Sequence, residues 1–255
     1  MREMNIQNQP TSLLKKIGLR IYMAYAAIVF TITFVLGTPA VILALLFKND
    51  KMALQVNHYW AHVFFFLVGV KIELKLLSPL DKKKAYIFCP NHFSFLDIAT
   101  MPFVPVPFKF VGKVSIAKVP LMGYIFKRFH ITVDRAKLRD RYATYKKSVN
   151  ALLEGCSLTI FPEGGIKSSQ PPLMQSFKEG PFRMAIETGA PLVPVTLADN
   201  WHIFPDDGQF FIRRRKCRIV VHEPVSPEKY TLASLKEFQD DVHAVIQNEL
   251  NRLNA

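Results

Sequence analysis

Two uncharged apolar runs close together near the start of this 255-residue chain restrict its fold more than any other feature. From Ile21 to Phe47 no side chain is charged, and from Met52 to Val70 none is again. As a straight helix the first run would extend about 40 Å at roughly 1.5 Å per residue, beyond the roughly 30 Å of a bilayer's hydrocarbon core. Gly37 and Pro39 are expected to interrupt it, because proline removes an amide donor and crowds the preceding turn. Two helical pieces or one kinked helix would result. The short polar connector Lys48-Asn49-Asp50-Lys51 favours an antiparallel hairpin. Lys15, Lys16 and Arg20 before it, with Lys71 and Lys75 after it, lie where headgroups would be met, and Tyr22, Tyr25, Tyr59 and Trp60 are expected at the interface. The apolar stretch is too long for a cleaved secretory signal. Residues 1–70 therefore read as a membrane-associated helical segment and 71–255 as an α/β domain. Spanning and half-insertion both fit the run lengths.

Composition narrows the partner. The chain carries 33 Lys and Arg against 20 Asp and Glu, a formal charge of +13, yet half its residues are apolar and its mean hydropathy is +0.14. Half-apolar chains bury enough surface to fold, which excludes a disordered protein. A chain both basic and apolar points to an anionic membrane rather than to nucleic acid. The cluster Arg213-Arg214-Arg215-Lys216 with Arg218 lacks the aromatic residues that stack bases, so lipid or donor phosphates fit it better. His58 and His62 have the spacing of two metal ligands but no glutamate between them; they read as interfacial polar side chains, and no metal is expected. Cys89, Cys156 and Cys217 are few, scattered and odd in number, which points to a reducing compartment and a domain facing the cytoplasm.

Beyond the hairpin, strand patterns cover Ile72–Leu77, Ala85–Cys89, Phe108–Val111, Ile131–Val133, Ser157–Phe161, Leu192–Leu197 and Arg218–Val221. Helical patterns cover Ser115–Phe129, Lys137–Glu154, Pro181–Thr188 and Leu232–Leu253. Strands alternating with helices predict an α/β domain with a mixed central sheet flanked by helices, its chemistry in the loops at strand ends.

One such end is Cys89-Pro90-Asn91-His92-Phe93-Ser94-Phe95-Leu96-Asp97. Ser94 with Asp97 forms a capping-box pattern, which makes Ser94 the expected N-cap and leaves His92 outside the helix. Within one helix the two side chains would point about 140° apart. With His92 in the loop and Asp97 in the first turn, the imidazole can fold back onto the carboxylate. Asp97 would then fix the tautomer while the other ring nitrogen takes a proton from a hydroxyl. No GxSxG elbow is present and no cysteine follows closely, so direct attack by an acceptor alcohol on an acyl thioester is the natural chemistry. The same residues also suit a simple helix cap beside a packed polar histidine.

A second strand end carries Phe161-Pro162-Glu163-Gly164-Gly165-Ile166-Lys167-Ser168, where two glycines allow close backbone approach and Glu163 and Lys167 offer polar handles. Arg135, just past another strand, has the fork that grips phosphate, and Lys113 would set a cation beside a helix start. Either is equally a solvated surface charge.

In order, Asn91-His92-x-x-x-x-Asp97, Phe161-Pro162-Glu163-Gly164 and Pro191-Leu192-Val193-Pro194-Val195 resemble the glycerolipid acyltransferases, specifically those acting on 1-acylglycerol-3-phosphate, over about residues 71–200. The resemblance implies an acyl-CoA or acyl-ACP co-substrate with no bound cofactor, a lysophospholipid acceptor, His92 as base and Asp97 as its partner. It also implies acceptor-binding positions among Asn91, Lys113, Arg135, Glu163, Gly164, Gly165 and Lys167. The family usually continues Glu-Gly-Thr-Arg-Ser, whereas here Ile166 holds the arginine position and Lys167 follows. Around Arg135, Phe129 and Thr132 stand where the family has a glycine and an aromatic residue. The departures fall on the acceptor headgroup and leave the donor chemistry untouched.

Overall fold

The computed structural model describes residues 13–47, 49–113, 122–133, 137–168, 170–209 and 211–255. Helix α1 (Leu13–Leu46) and helix α2 (Asp50–Leu67) form the hairpin, with the Asn49 side chain accepting from the Met52 amide to start α2. The interruption expected at Pro39 does not divide α1, which runs as one 34-residue helix through it. A single missing amide costs one bond in a long ladder, and the Thr38 hydroxyl binds the Phe34 carbonyl in the same turn.

The two helices differ in what they bury. Leu14, Ile17, Ile21, Ile28, Ile32, Leu36, Leu43 and Leu46 recur at spacings of three, four or seven along α1, and all are exposed. By length and composition α1 is the one described helix able to cross a membrane. The second apolar run does not qualify, because α2 carries Gln55, Asn57, His58 and His62 and turns much of its surface inward. Ala61, Phe64, Phe65 and Val68 join the same buried cluster as Val193, Val195 and Ile219 of the sheet.

The aromatic residues expected at headgroups mostly hold the hairpin together. Tyr22 donates to the Val68 carbonyl at 2.5 Å, Tyr25 to Leu67 at 2.8 Å, and Trp60 Nε1 to Thr33 Oγ1 at 3.1 Å; Tyr59 is exposed. His58 is likewise a docking contact, its Nδ1 lying 2.6 Å from the Pro102 carbonyl, while His62 Nδ1 bonds the His58 carbonyl of its own helix at 2.9 Å.

Seven strands follow: β1 (Ile72–Leu76), β2 (Ile87–Pro90), β3 (Phe108–Lys113), β4 (Ile131–Val133), β5 (Ser157–Thr159), β6 (Leu192–Leu197) and β7 (Cys217–Val221). They lie in the order β1-β7-β6-β2-β5-β3-β4. Every neighbouring pair is parallel except β6 with β7. Strands β2 and β6 are buried at every residue, as befits central strands covered on both faces. Connecting elements are α3 (Leu96–Thr100), α4 (Met122–Phe129), α5 (Leu138–Leu153), α6 (Gly180–Thr188), α7 (Asn200–Ile203) and the closing α8 (Leu235–Asn254). Of the helix expected over Ser115–Phe129, residues 115–121 lie outside the described residues. Helix α4 packs Phe129 against Ala44 and Ala53 near the hairpin's turn. The parallel strands β2 to β6 therefore deliver the chain segments after Pro90, Lys113, Val133, Thr159 and Leu197 to one edge of the sheet, where ligands bind in open parallel sheets.

Candidate active site

The chain leaves β2 at Pro90 and enters α3 only at Leu96, so His92 stands in the connecting loop and Asp97 in the first turn. This offset brings them together: His92 Nδ1 lies 3.0 Å from Asp97 Oδ2. Asp97 Oδ2 also accepts the amides of Phe93 at 2.8 Å and Ser94 at 2.9 Å. An oxygen surrounded by donors in this way is an acceptor, so Nδ1 carries the imidazole proton and Nε2 presents its lone pair. No described residue bonds Nε2. The ring stacks on Phe161 with centroids 3.9 Å apart, which restricts it to the face that Asp97 dictates.

Only the acid's half of the capping box forms. Asp97 reaches back to the Ser94 amide, but the Ser94 hydroxyl accepts from Leu96 at 3.1 Å and donates to the Phe204 carbonyl at 2.6 Å. The helix starts one residue later than expected, with Phe95 before it making no side-chain cap bond, while the Ser94 hydroxyl still satisfies the Leu96 amide of the first turn. The Ser94 hydroxyl also ties the loop to the end of α7.

Two candidate residues are bonded to backbone groups of the fold. Asn91, wholly buried, donates to the Leu197 carbonyl at 3.1 Å and accepts its amide at 2.8 Å, so its carboxamide extends the β2–β6 ladder in place of backbone. One N–H and one lone pair of the carboxamide go to this brace, which fixes the side chain against β6. Glu163, 1% exposed, accepts the His92 amide on Oε1 at 2.8 Å and the Gln175 amide on Oε2 at 3.0 Å. With each oxygen already accepting an amide, it braces the histidine's backbone instead of reaching outward. Burial raises its pKa above the ordinary carboxylate value, against the lowering effect of those two amides and of His92.

Gly164 and Gly165 have φ of 80° and 148°, a conformation that suits glycine where the loop turns away from β5. Lys167 is exposed. Arg135 and the Lys113 side chain lie outside the described residues; the Lys113 backbone closes β3 opposite Val133.

One member of the cluster was not anticipated. Asn200 opens α7 after β6, and its Nδ2 donates to Asp97 Oδ1 at 2.8 Å and Thr100 Oγ1 at 2.9 Å. The Cys217 thiol donates to Asn200 Oδ1 at 3.1 Å, which fixes the amide's orientation. Nothing in the local sequence of Asn200 reports a partner 103 residues away. Asp97 thus satisfies four donors while 0% exposed, and His92 alone faces outward from the group.

Beside this corner a cavity of about 540 Å³ opens between the hairpin and the domain. Its walls include Phe30 and Phe34 of α1, Trp60 of α2, Phe95, and Phe126 and Phe129 of α4. Phe110, also in its wall, stacks on Phe161 at 6.5 Å, and Phe161 stacks on His92. His92 does not itself line the recess; the rings of Phe110 and Phe161 connect the apolar wall to its imidazole.

A family model described as acyltransferase matches residues 71–198. The chain is 31% identical over 227 residues to a 1-acyl-sn-glycerol-3-phosphate acyltransferase of Chlamydomonas reinhardtii, covering 87% of this chain and 67% of that protein. It is 27% identical to a chloroplastic enzyme of the same name from Arabidopsis thaliana, over 86% of this chain and 61% of the relative. It therefore spans only about three fifths to two thirds of these relatives' lengths. The crystal structure of the 1-acyl-sn-glycerophosphate acyltransferase PlsC from Thermotoga maritima superposes with a TM-score of 0.77 at 21% identity, covering 95% of this chain and 97% of that one, and shares its fold.

Proposed function

This chain belongs to the acyltransferase family, and we propose that it moves a fatty acyl group from an acyl thioester to the free sn-2 hydroxyl of 1-acylglycerol-3-phosphate, giving phosphatidic acid. The observation that carries the reading is the His92–Asp97 contact, with Nε2 unpartnered among the described residues and Phe161 and Phe110 linking the ring to the wall of an apolar recess. Nε2 takes the acceptor's hydroxyl proton as the oxygen attacks the thioester carbonyl. Asp97 stabilises the imidazolium that forms. Collapse of the tetrahedral intermediate breaks the carbon–sulfur bond, and the imidazolium returns its proton to the departing thiolate. The recess accepts the acyl chain, whose burial holds the carbonyl near His92.

The exposed apolar stripe of α1 supports association with a membrane, with Lys15, Lys16 and Arg20 toward anionic headgroups and the domain of 71–255 on the cytoplasmic side. Membrane attachment supplies the lipid acceptor without a soluble carrier.

Ile166 favours a second acceptor, another lysolipid or an amino-acid-linked lipid, because the family's arginine is missing from that position. Purified protein should be given lysophosphatidic acid and a phosphate-free lysolipid, each with acyl-CoA and acyl-ACP. Free thiol release that requires lysophosphatidic acid supports the first reading. Equal or greater release with the phosphate-free acceptor transfers the assignment to the second, and no release with any pair contradicts acyl transfer, leaving a lipid carrier.

A further inference from the structure

The recess is not uniformly apolar, and two of its polar side chains keep a hydrogen-bonding group without a partner among the described residues. Asn57 of α2 and His130 after α4 both line it. The Phe110 amide donates to His130 Nδ1 at 3.2 Å, which leaves the ring's proton on Nε2. Burial above all, with Lys109 nearby, pushes the His130 pKa down to about 4, so the ring is neutral near pH 7 and keeps that single N–H. Among the described residues nothing accepts from Nε2, and nothing bonds the Asn57 carboxamide. The other polar groups of the wall are spent: the Thr38 hydroxyl binds Phe34 and the Trp60 indole N–H binds Thr33.

A saturated chain filling this space expels water from His130 and Asn57 and returns no hydrogen bond, a loss for the complex. A hydroxyl on the chain reverses it, accepting from the His130 N–H and donating to the Asn57 carbonyl oxygen. We propose that the recess selects hydroxylated fatty acyl chains, their hydroxyl held between His130 and Asn57. This rests on the acyl-transfer reading above and narrows its donor.

The test compares a saturated sixteen-carbon acyl thioester with isomers carrying one hydroxyl at successive carbons, at a fixed concentration of the acceptor that supports turnover. One isomer should exceed the saturated donor in kcat/KM by about tenfold or more, since a site that hydrogen-bonds a hydroxyl discriminates against its absence. His130→Phe and Asn57→Leu should each draw that ratio toward one. Because the readout is a ratio within each variant and the two substitutions lie on different elements, loss of folding in one leaves the other decisive. Turnover of the saturated donor at least equal to every isomer overturns this proposal alone, as does a ratio unchanged in both variants. No acceptor-dependent thiol release from either donor class overturns acyl transfer and this proposal together.

Discussion

The hairpin and the β2–α3 corner break the ordinary partition of residues in opposite directions. Helix α1 exposes large aliphatic side chains along its length, with Leu14 81% exposed and Leu36 73%. The corner buries Asp97, Asn91 and Glu163 almost completely. A water-soluble fold gains nothing from the first and draws on core stability for the second. Each departure has its own compensation: the stripe needs an apolar medium outside the chain, whereas each buried acid is met by donors inside it. The contrast separates a face whose composition suits lipid from a corner that stores oriented charge.

Breaking the corner should have the larger effect on the fold. Asp97→Ala leaves two backbone amides, the His92 N–H and the Asn200 amide without their acceptor, and should cost about 3–5 kcal/mol in denaturant unfolding. Asp97→Asn retains shape but sets an amide among donors and loses the preference for the Nδ1 tautomer; turnover should fall by about two orders of magnitude while much of the fold survives. Asparagine with wild-type turnover would reduce Asp97 to a structural brace. On the hairpin side, Ile28→Glu with Leu36→Glu should weaken sedimentation with anionic vesicles by about tenfold or more, since charge at lipid depth costs about 2.5 kcal/mol or more per residue. Thermal unfolding in detergent should scarcely move. Unchanged vesicle binding would mean that this stripe faces something other than lipid.

A smaller effect separates positioning from titration at Glu163. Its raised pKa means the folded chain holds that proton more tightly than the unfolded one, so its favourable contribution is present below the ordinary carboxylate value and is lost as pH rises through the raised value. Glu163→Gln removes this slope and leaves one of two amides without an acceptor, at about 1 kcal/mol. The stability advantage of wild type over the variant should therefore shrink as pH rises across that window. A constant difference would show that Glu163 does not titrate there.

Legibility followed the range of the forces involved. All seven strands were foreseeable because β-branched and aromatic runs bounded by turns are local signals, and the helical patterns behind α5, α6 and α8 likewise carried their own periodicity. The His92–Asp97 contact was accessible for the same reason, as it depends on where a nearby helix starts. Pro39 left two helical pieces and one continuous helix both open, and the structure has the single 34-residue helix, in which one lost amide is minor. Asn91 and Glu163 were recognisable as members of the site, but their partners are backbone groups elsewhere in the chain, Leu197 of β6 and Gln175 between β5 and α6 for example, which no local pattern encodes. Asn200 escaped altogether for that reason. Tyr22, Tyr25 and Trp60 have the composition of an interfacial belt, and only the packing of α1 on α2 assigns their polar ends inward.

The most direct measurement is acceptor-dependent thiol release by purified His92→Ala beside wild type, with circular dichroism and thermal unfolding run on both. General-base assistance is worth about 10²–10⁴ in rate. The account predicts a loss of that size in kcat from a variant that unfolds near the wild-type temperature. A folded His92→Ala protein releasing thiol at close to the wild-type rate would contradict it.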